Sequence, residues 1–164
     1  MKVTMGGNPI TLIGNEVKEG QKAPEFKAIK GDLGEFKLSD YLGKKIVLTS
    51  FPSIDTGICA MQATRFNQEI GKFDDVVLIT ISNDLPFALN RYCGANGIDN
   101  AITISDHKDV DFGMKYGMLI EELRLLARAV FVIDKEGNIA YMEVCPEIKS
   151  EPNYEKALEV LKRL

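Results

Sequence analysis

Val76-Val77-Leu78-Ile79-Thr80-Ile81-Ser82 constrains this chain more than any other stretch. It is a continuous, uncharged, β-branched run, the mark of a strand buried on both faces. Such a strand requires neighbours on both edges and cover above and below. Candidates for the neighbours are Ile46 to Phe51, Ala101 to Ile104, Ala129 to Ile133 and Ile139 to Val144. Between them lie stretches that suit helices. Ala60 to Ile70 has no Gly or Pro and places Ile58, Met61, Ala63, Phe66 and Ile70 near helical spacing. Pro86 suits the first turn of a helix running to about Cys93, with Gly94 as its stop. Val110 to Tyr116 reads as a short helix, with Asp109 or Ser105 near its start. Pro152-Asn153 opens a last one, whose Tyr154, Ala157, Leu158 and Leu161 share a face. Gly117 to Leu126 suits either helix or loop.

The rest is shorter. Val3-Thr4-Met5 and Ile10 to Ile13 flank Gly6-Gly7-Asn8-Pro9, a hairpin pattern. Phe26 to Ile29 and Glu35 to Leu38 are strand candidates, and Ser39 can cap a single turn at Asp40 to Leu42. Strands alternating with helices imply an α/β sandwich in the order of a thioredoxin-like fold, with a central mixed sheet flanked by helices. At 164 residues the expectation is one domain over 1–164, including an N-terminal β-hairpin at about 1–17.

In such sheets, sites lie beyond the carboxyl ends of strands. The strand Ile46 to Phe51 ends at Pro52, which has no N–H for a ladder. Asp55 or Thr56 can cap the following helix, which puts Cys59 in its first turn. The thiolate is the reactive form of a cysteine, and a helix N-terminus and a nearby Arg both favour it. Thr56, three residues earlier, can aim its hydroxyl at the sulfur or at a substrate oxygen. On placement alone, a small buried cysteine explains Cys59 equally well. Arg128 opens the strand Ala129 to Ile133. A charge beside a buried strand needs a partner, and a salt bridge to one of the 24 acids is the plain explanation.

Composition removes several classes. A net charge of −4 with no dense basic block argues against nucleic acid. No apolar run approaches the ~20 residues of a membrane span, and Met1 to Gly6 shows no signal-peptide core. Three cysteines without C-x-x-C do not make a secreted disulfide framework, so a cytoplasmic, reduced-thiol setting is expected. Cys145, before Pro146, reads as a small residue at a strand end. Cys59, Cys93, Cys145 and the single His107 lack the close spacings of a zinc site. Met114, Met118 and Leu119 read as core or interface.

Pro52, Thr56 and Cys59 reproduce the P-x-x-x-T-x-x-C signature of peroxiredoxins. The full string Pro52-Ser53-Ile54-Asp55-Thr56-Gly57-Ile58-Cys59 resembles the bacterial thiol peroxidase subfamily of that family, the atypical two-cysteine type. Three further stretches, in the same order, resemble it too. They are the Val3 to Val17 hairpin, Asp84-Leu85-Pro86-Phe87-Ala88 leading to Arg91-Tyr92-Cys93-Gly94, and Ala127-Arg128-Ala129-Val130. The resemblance implies a thioredoxin-like fold and a cofactor-independent, metal-independent peroxidase acting on hydrogen peroxide and organic hydroperoxides. It implies Cys59 as peroxidatic cysteine and Cys93 as resolving cysteine, joined in an intramolecular disulfide that thioredoxin reduces. Thr56 and Arg128 would align the O–O bond, and Pro52 would shield the sulfur. A homodimer with its interface near the active-site loop is implied as well. A general disulfide oxidoreductase is disfavoured by the missing C-x-x-C. A non-enzymatic redox-sensing or binding domain on the same fold is the alternative from another class. A rigid chain cannot easily hold Cys59 beside Arg128 and also bond it to Cys93, so well-separated sulfurs are expected in the reduced form.

Overall fold

The computed structural model describes residues 1–164. Its centre is a seven-stranded mixed sheet. β6 (Lys45–Ser50), β7 (Val76–Ser82) and β8 (Ala101–Ser105) run parallel. β10 (Ala129–Ile133) lies antiparallel between β6 and β11 (Ile139–Val144). On the far edge β4 (Lys27–Lys30) pairs antiparallel with β8 and with β5 (Glu35–Lys37). The order across the sheet is β11-β10-β6-β7-β8-β4-β5.

Alternation along the central strands assigns the two faces. Val47, Leu78, Val130 and Val132 meet Phe66 and Ile70 of α1 (Gly57–Ile70) and Tyr154, Ala157, Leu158 and Leu161 of α4 (Tyr154–Arg163). Ile46, Leu48, Ile79, Ile81 and Phe131 turn to the other face. There they join Phe26, Phe36, Phe112 and Tyr116, an aromatic group with several edge-to-face contacts. α2 (Pro86–Asn96) packs on β8, and α3 (Asp111–Tyr116) on β4.

Several boundaries differ from the sequence expectation, each for a local reason. β6 ends at Ser50, although the Phe51 N–H still reaches the Ile81 carbonyl at 3.4 Å. The buried face of α1 is Cys59, Gln62, Ala63, Phe66, Asn67 and Ile70, whereas Met61 is 52 % exposed. Its sequence pattern holds two buried polar residues, which hydropathy spacing places outside. α2 runs through Gly94 to Asn96, because Gly97 at φ +65° is the residue that adopts the left-handed cap. α3 is capped by neither Asp109 nor Ser105. The Asp106 carboxylate accepts from the Phe112 and Gly113 N–H groups at 3.0 and 2.8 Å.

At the N-terminus β1 (Val3–Met5) pairs with β2 (Asn8–Ile10) around Gly6 and Gly7, both at positive φ. Leu12–Ile13, expected to continue the hairpin, forms β3 instead and pairs with β9 (Leu119–Ile120). The ambiguous segment 117–126 is therefore a strand and turn, not a helix. Met118 and Leu119 are core, and Met114 is 42 % exposed.

Candidate active site

Thr56 takes the N-cap position of α1 in extended backbone, φ −104° and ψ 147°. Its hydroxyl does not cap the helix; it donates to the Ser53 carbonyl at 3.2 Å. That leaves the lone pairs of the Thr56 oxygen free to accept. Cys59 follows in the first turn, where unpaired N–H groups and the helix dipole favour negative charge. Its side chain is fully buried.

Arg128, at the start of β10, is only 2 % exposed. Its Nη2 donates to Cys59 Sγ at 3.2 Å, Nη1 to Gln62 Oε1 at 2.8 Å, and Nε to the Ile148 carbonyl at 2.7 Å. Gln62 is itself held, since its Nε2 donates to the Ser50 carbonyl at 3.3 Å. The guanidinium forms no ion pair with any carboxylate. The salt-bridge explanation of Arg128 is thereby removed. A buried cation without an acid partner is costly unless another anion faces it, and the group facing it is the Cys59 sulfur.

A cavity of about 270 Å³ opens over this turn. Pro52, Thr56, Gly57, Ile58, Arg128 and Ile148 line it, together with Met5 of the hairpin and Lys149. Pro52 is buried beside the first turn. The structure thus brings Pro52, Thr56, Cys59 and Arg128 to one place.

Cys93 is not bonded to them. It lies on α2, half-buried, with its sulfur 3.4 Å from the Thr103 hydroxyl. It packs against the small apolar cluster of Phe51, Ile54, Cys59, Ala63, Leu89 and Ile98. All three cysteines are free thiols. Cys145 is buried in the turn after β11, its N–H donating to the Arg128 carbonyl at 2.9 Å. Burial, then the Glu143 carboxylate, push its thiol up to about 12. His107 sits apart, its Nδ1 2.8 Å from the Ser105 hydroxyl, and no three His, Cys, Asp or Glu side chains gather as metal ligands would. Sequence reasoning missed Gln62 and the Ile148 carbonyl. The only signal for Gln62 was a polar residue three positions after Cys59, on the same helical face.

Comparison with known proteins agrees with this geometry. Residues 18–158 match the Redoxin family model. The chain is 50% identical over 163 residues to a thiol peroxidase of Bacillus subtilis (strain 168), covering 99% of this chain and 98% of that relative. It is 50% identical over 162 residues to a thiol peroxidase of Listeria innocua, covering 99% and 98%. Among solved structures, a peroxiredoxin-like protein from Aquifex aeolicus superposes with a TM-score of 0.92 at 38% identity, over 99% of this chain and 97% of that one. A thiol peroxidase from Chromobacterium violaceum shares the fold at TM-score 0.89 and 20% identity, over 99% and 96%. The mixed sheet with four helices is thus a thioredoxin-like α/β fold, as the strand and helix order leads one to expect.

Proposed function

This chain belongs to the redoxin family and is a thiol-dependent peroxidase, and we propose that Cys59 is its peroxide-reactive thiol. The observation that carries this assignment is the buried Arg128 guanidinium, which has no carboxylate partner and donates to Cys59 Sγ at 3.2 Å. Its fixed fork of donors suits both an attacking sulfur anion and the charge that develops on a peroxide oxygen. The Thr56 oxygen, its proton already given to Ser53, accepts from the peroxide O–H and turns the O–O bond toward the sulfur. Pro52 keeps water from the sulfur.

The thiolate attacks one peroxide oxygen and an S–O bond forms as the O–O bond breaks. The leaving oxygen takes a proton from solvent water and departs as water or an alcohol, while the transferred hydroxyl leaves Cys59 as sulfenic acid. Sulfur loses two electrons and the peroxide gains them. The Cys93 thiol then attacks the sulfenic sulfur, an S–S bond forms within the chain and water leaves. A thioredoxin dithiol reduces that bond, a step carried over from the family resemblance. So is the homodimer, whereas the reading of 1–164 as one domain rests on chain length. Three cysteines without C-x-x-C favour a cytoplasmic setting; no helix is long and apolar enough to cross a membrane. The apolar cavity walls at Met5, Pro52, Ile58 and Ile148 leave room for an organic hydroperoxide as well as hydrogen peroxide.

The test is NADPH consumption driven by hydrogen peroxide and by cumene hydroperoxide, with thioredoxin and thioredoxin reductase supplied. The wild-type chain turns over and Cys59→Ser does not. Near-normal turnover by Cys59→Ser ends the assignment. A wild-type chain that is oxidised once and not recycled is instead the redox-sensing domain.

A further inference from the structure

Asp84 lies outside the cavity, yet its carboxylate is among the most heavily engaged in the molecule. Oδ1 accepts from the Ser53 hydroxyl at 2.7 Å. Oδ2 accepts from the Ile54 N–H at 2.7 Å and from the Ser82 hydroxyl at 2.6 Å. No cation pairs with it. Its charge is spent entirely on oriented donors, two of them 30 and 31 residues earlier in the chain. The backbone of Asp84 is fixed as well. Its N–H donates to Ser82 Oγ at 3.3 Å, and the Ser105 hydroxyl donates to its carbonyl at 2.5 Å.

We propose that Asp84 is a positioning residue for the peroxide step, holding the Pro52–Thr56 loop so that the Thr56 oxygen meets the substrate. This inference rests on the roles given above to Cys59 and Thr56. The linkage is short. Ser53, gripped through its hydroxyl, offers its carbonyl to both the Thr56 N–H and the Thr56 hydroxyl, each at 3.2 Å. The same Ser53 oxygen that donates to Asp84 accepts the Asp55 N–H at 3.2 Å. Ile54, 3% exposed, has its N–H satisfied only by Asp84 among the side chains. A carboxylate is suited to this place because it accepts on both oxygens and donates nothing, and charge-assisted bonds are the strong ones. Without it the loop carries an unpaired N–H and two redirected hydroxyls. The Thr56 oxygen then loses a fixed direction, and a misplacement on the order of 1 Å can cost about 100-fold in rate.

The test isolates the first chemical step. Cys59 oxidation is followed by stopped flow in a Cys93→Ser background, with Asp84→Ala, Asp84→Asn, Thr56→Val and the pair Thr56→Val/Asp84→Ala. Asp84→Ala slows oxidation by about 10-fold or more, and Asp84→Asn, which keeps one acceptor oxygen, by less. Because Asp84 acts through Thr56, the double variant is no slower than Thr56→Val alone, within about 2-fold. A merely structural residue would instead multiply its effect onto Thr56→Val. Wild-type rates in Asp84→Ala, or full multiplication in the double variant, overturn the proposal. If Asp84→Ala does not fold, Ser53→Ala cuts one link in a folded protein, and it must slow oxidation in the wild-type but not in the Thr56→Val background. Cys59→Ser, run alongside, separates the two ideas. Loss of oxidation there with a neutral Asp84→Ala defeats this inference alone, whereas retained peroxidase activity there defeats the assignment of Cys59 beneath it.

Discussion

Two cysteines sit next to Arg128 in the fold, in contrasting surroundings. Cys59 Sγ receives a guanidinium donor and lies in the first turn of a helix. Cys145 hydrogen-bonds Arg128 through its backbone N–H, has the Glu143 carboxylate 4.0 Å from its sulfur, and is buried, which outweighs the favourable Arg128 charge. Burial and that carboxylate both oppose the thiolate, so its thiol is held up to about 12. Cys145→Ser is therefore expected to leave thioredoxin-dependent turnover intact. In the native Cys59→Ser/Cys93→Ser protein, Cys145 should resist iodoacetamide at pH 8 and react only after unfolding. Rapid native alkylation would show that the sulfur is reachable as thiolate and would reopen its role. Cys59, Thr56 and Arg128 of the candidate site were legible through the family motifs that carry them, since on placement alone Cys59 read equally as a small buried cysteine and Arg128 as a salt-bridge partner. Gln62 and the Ile148 carbonyl were not. A backbone acceptor leaves no trace in residue identity, and a glutamine on a helix face is indistinguishable from a solvated one until its partner is known.

The N-terminal hairpin shows how one side chain can attach a whole element. Glu147 follows β11 and accepts from the Gly6 N–H at 2.8 Å, the Gly7 N–H at 3.0 Å, the Thr4 hydroxyl at 2.8 Å and the Lys149 N–H at 3.0 Å. These backbone donors, Lys149 first, then Gly6 and Gly7, and then the Thr4 hydroxyl, hold its carboxyl at about 2. The unfolded chain binds that proton near the ordinary 4.5. Between the two values the unfolded state carries the extra proton, so this contribution is fully present above about 4.5 and is lost as pH falls through about 2. The hairpin is expected to stay docked at pH 4, where ordinary glutamates are taking up protons. Glu147→Ala should release it at neutral pH, seen as lost exchange protection of the Thr4 and Ile148 amides, which bond across the junction in the native fold. Since Met5 lines the cavity, the same variant should lose rate with cumene hydroperoxide more than with hydrogen peroxide. Undiminished protection in Glu147→Ala would mean that the β1 backbone contacts suffice. The hairpin turn was legible because two glycines supply its positive φ. The β3–β9 pairing was not, because it joins residues more than a hundred positions apart through two-residue strands without local signal.

At the scale of the whole molecule, the periodicity of Val76–Ser82 and its neighbours made the alternation of strands and helices legible, but not the order β11-β10-β6-β7-β8-β4-β5. Strand order is settled by which faces bury together, and no local pattern encodes that. The same global packing sets the terms on which Cys59 and Cys93 can meet in the proposed cycle. Cys59 is held in the first turn of α1 by Arg128, and Cys93 rests against Thr103 on β8. A disulfide needs Cα atoms roughly 4.4–6.8 Å apart with matched side-chain directions. Meeting that requirement is expected to break the Arg128–Cys59 bond, unwind the first turn of α1 and loosen the last turns of α2. It also exposes part of the cluster of Phe51, Ile54, Ala63, Leu89 and Ile98, at about 1.5–3 kcal/mol for each large apolar side chain fully exposed. That cost is bearable because the cluster is the smallest of the three cores and the opened turns are helix ends, while the central strands belong to the larger two. One equivalent of peroxide at low protein concentration should therefore give an intramolecular Cys59–Cys93 peptide on non-reducing mapping. In that oxidised form, amides of 57–63 and 92–98 should exchange faster than in the reduced protein, with β6, β7 and β10 unchanged. A Cys59–Cys145 peptide, a link found only between chains, or a disulfide formed with exchange unaltered throughout would each contradict resolution by local opening.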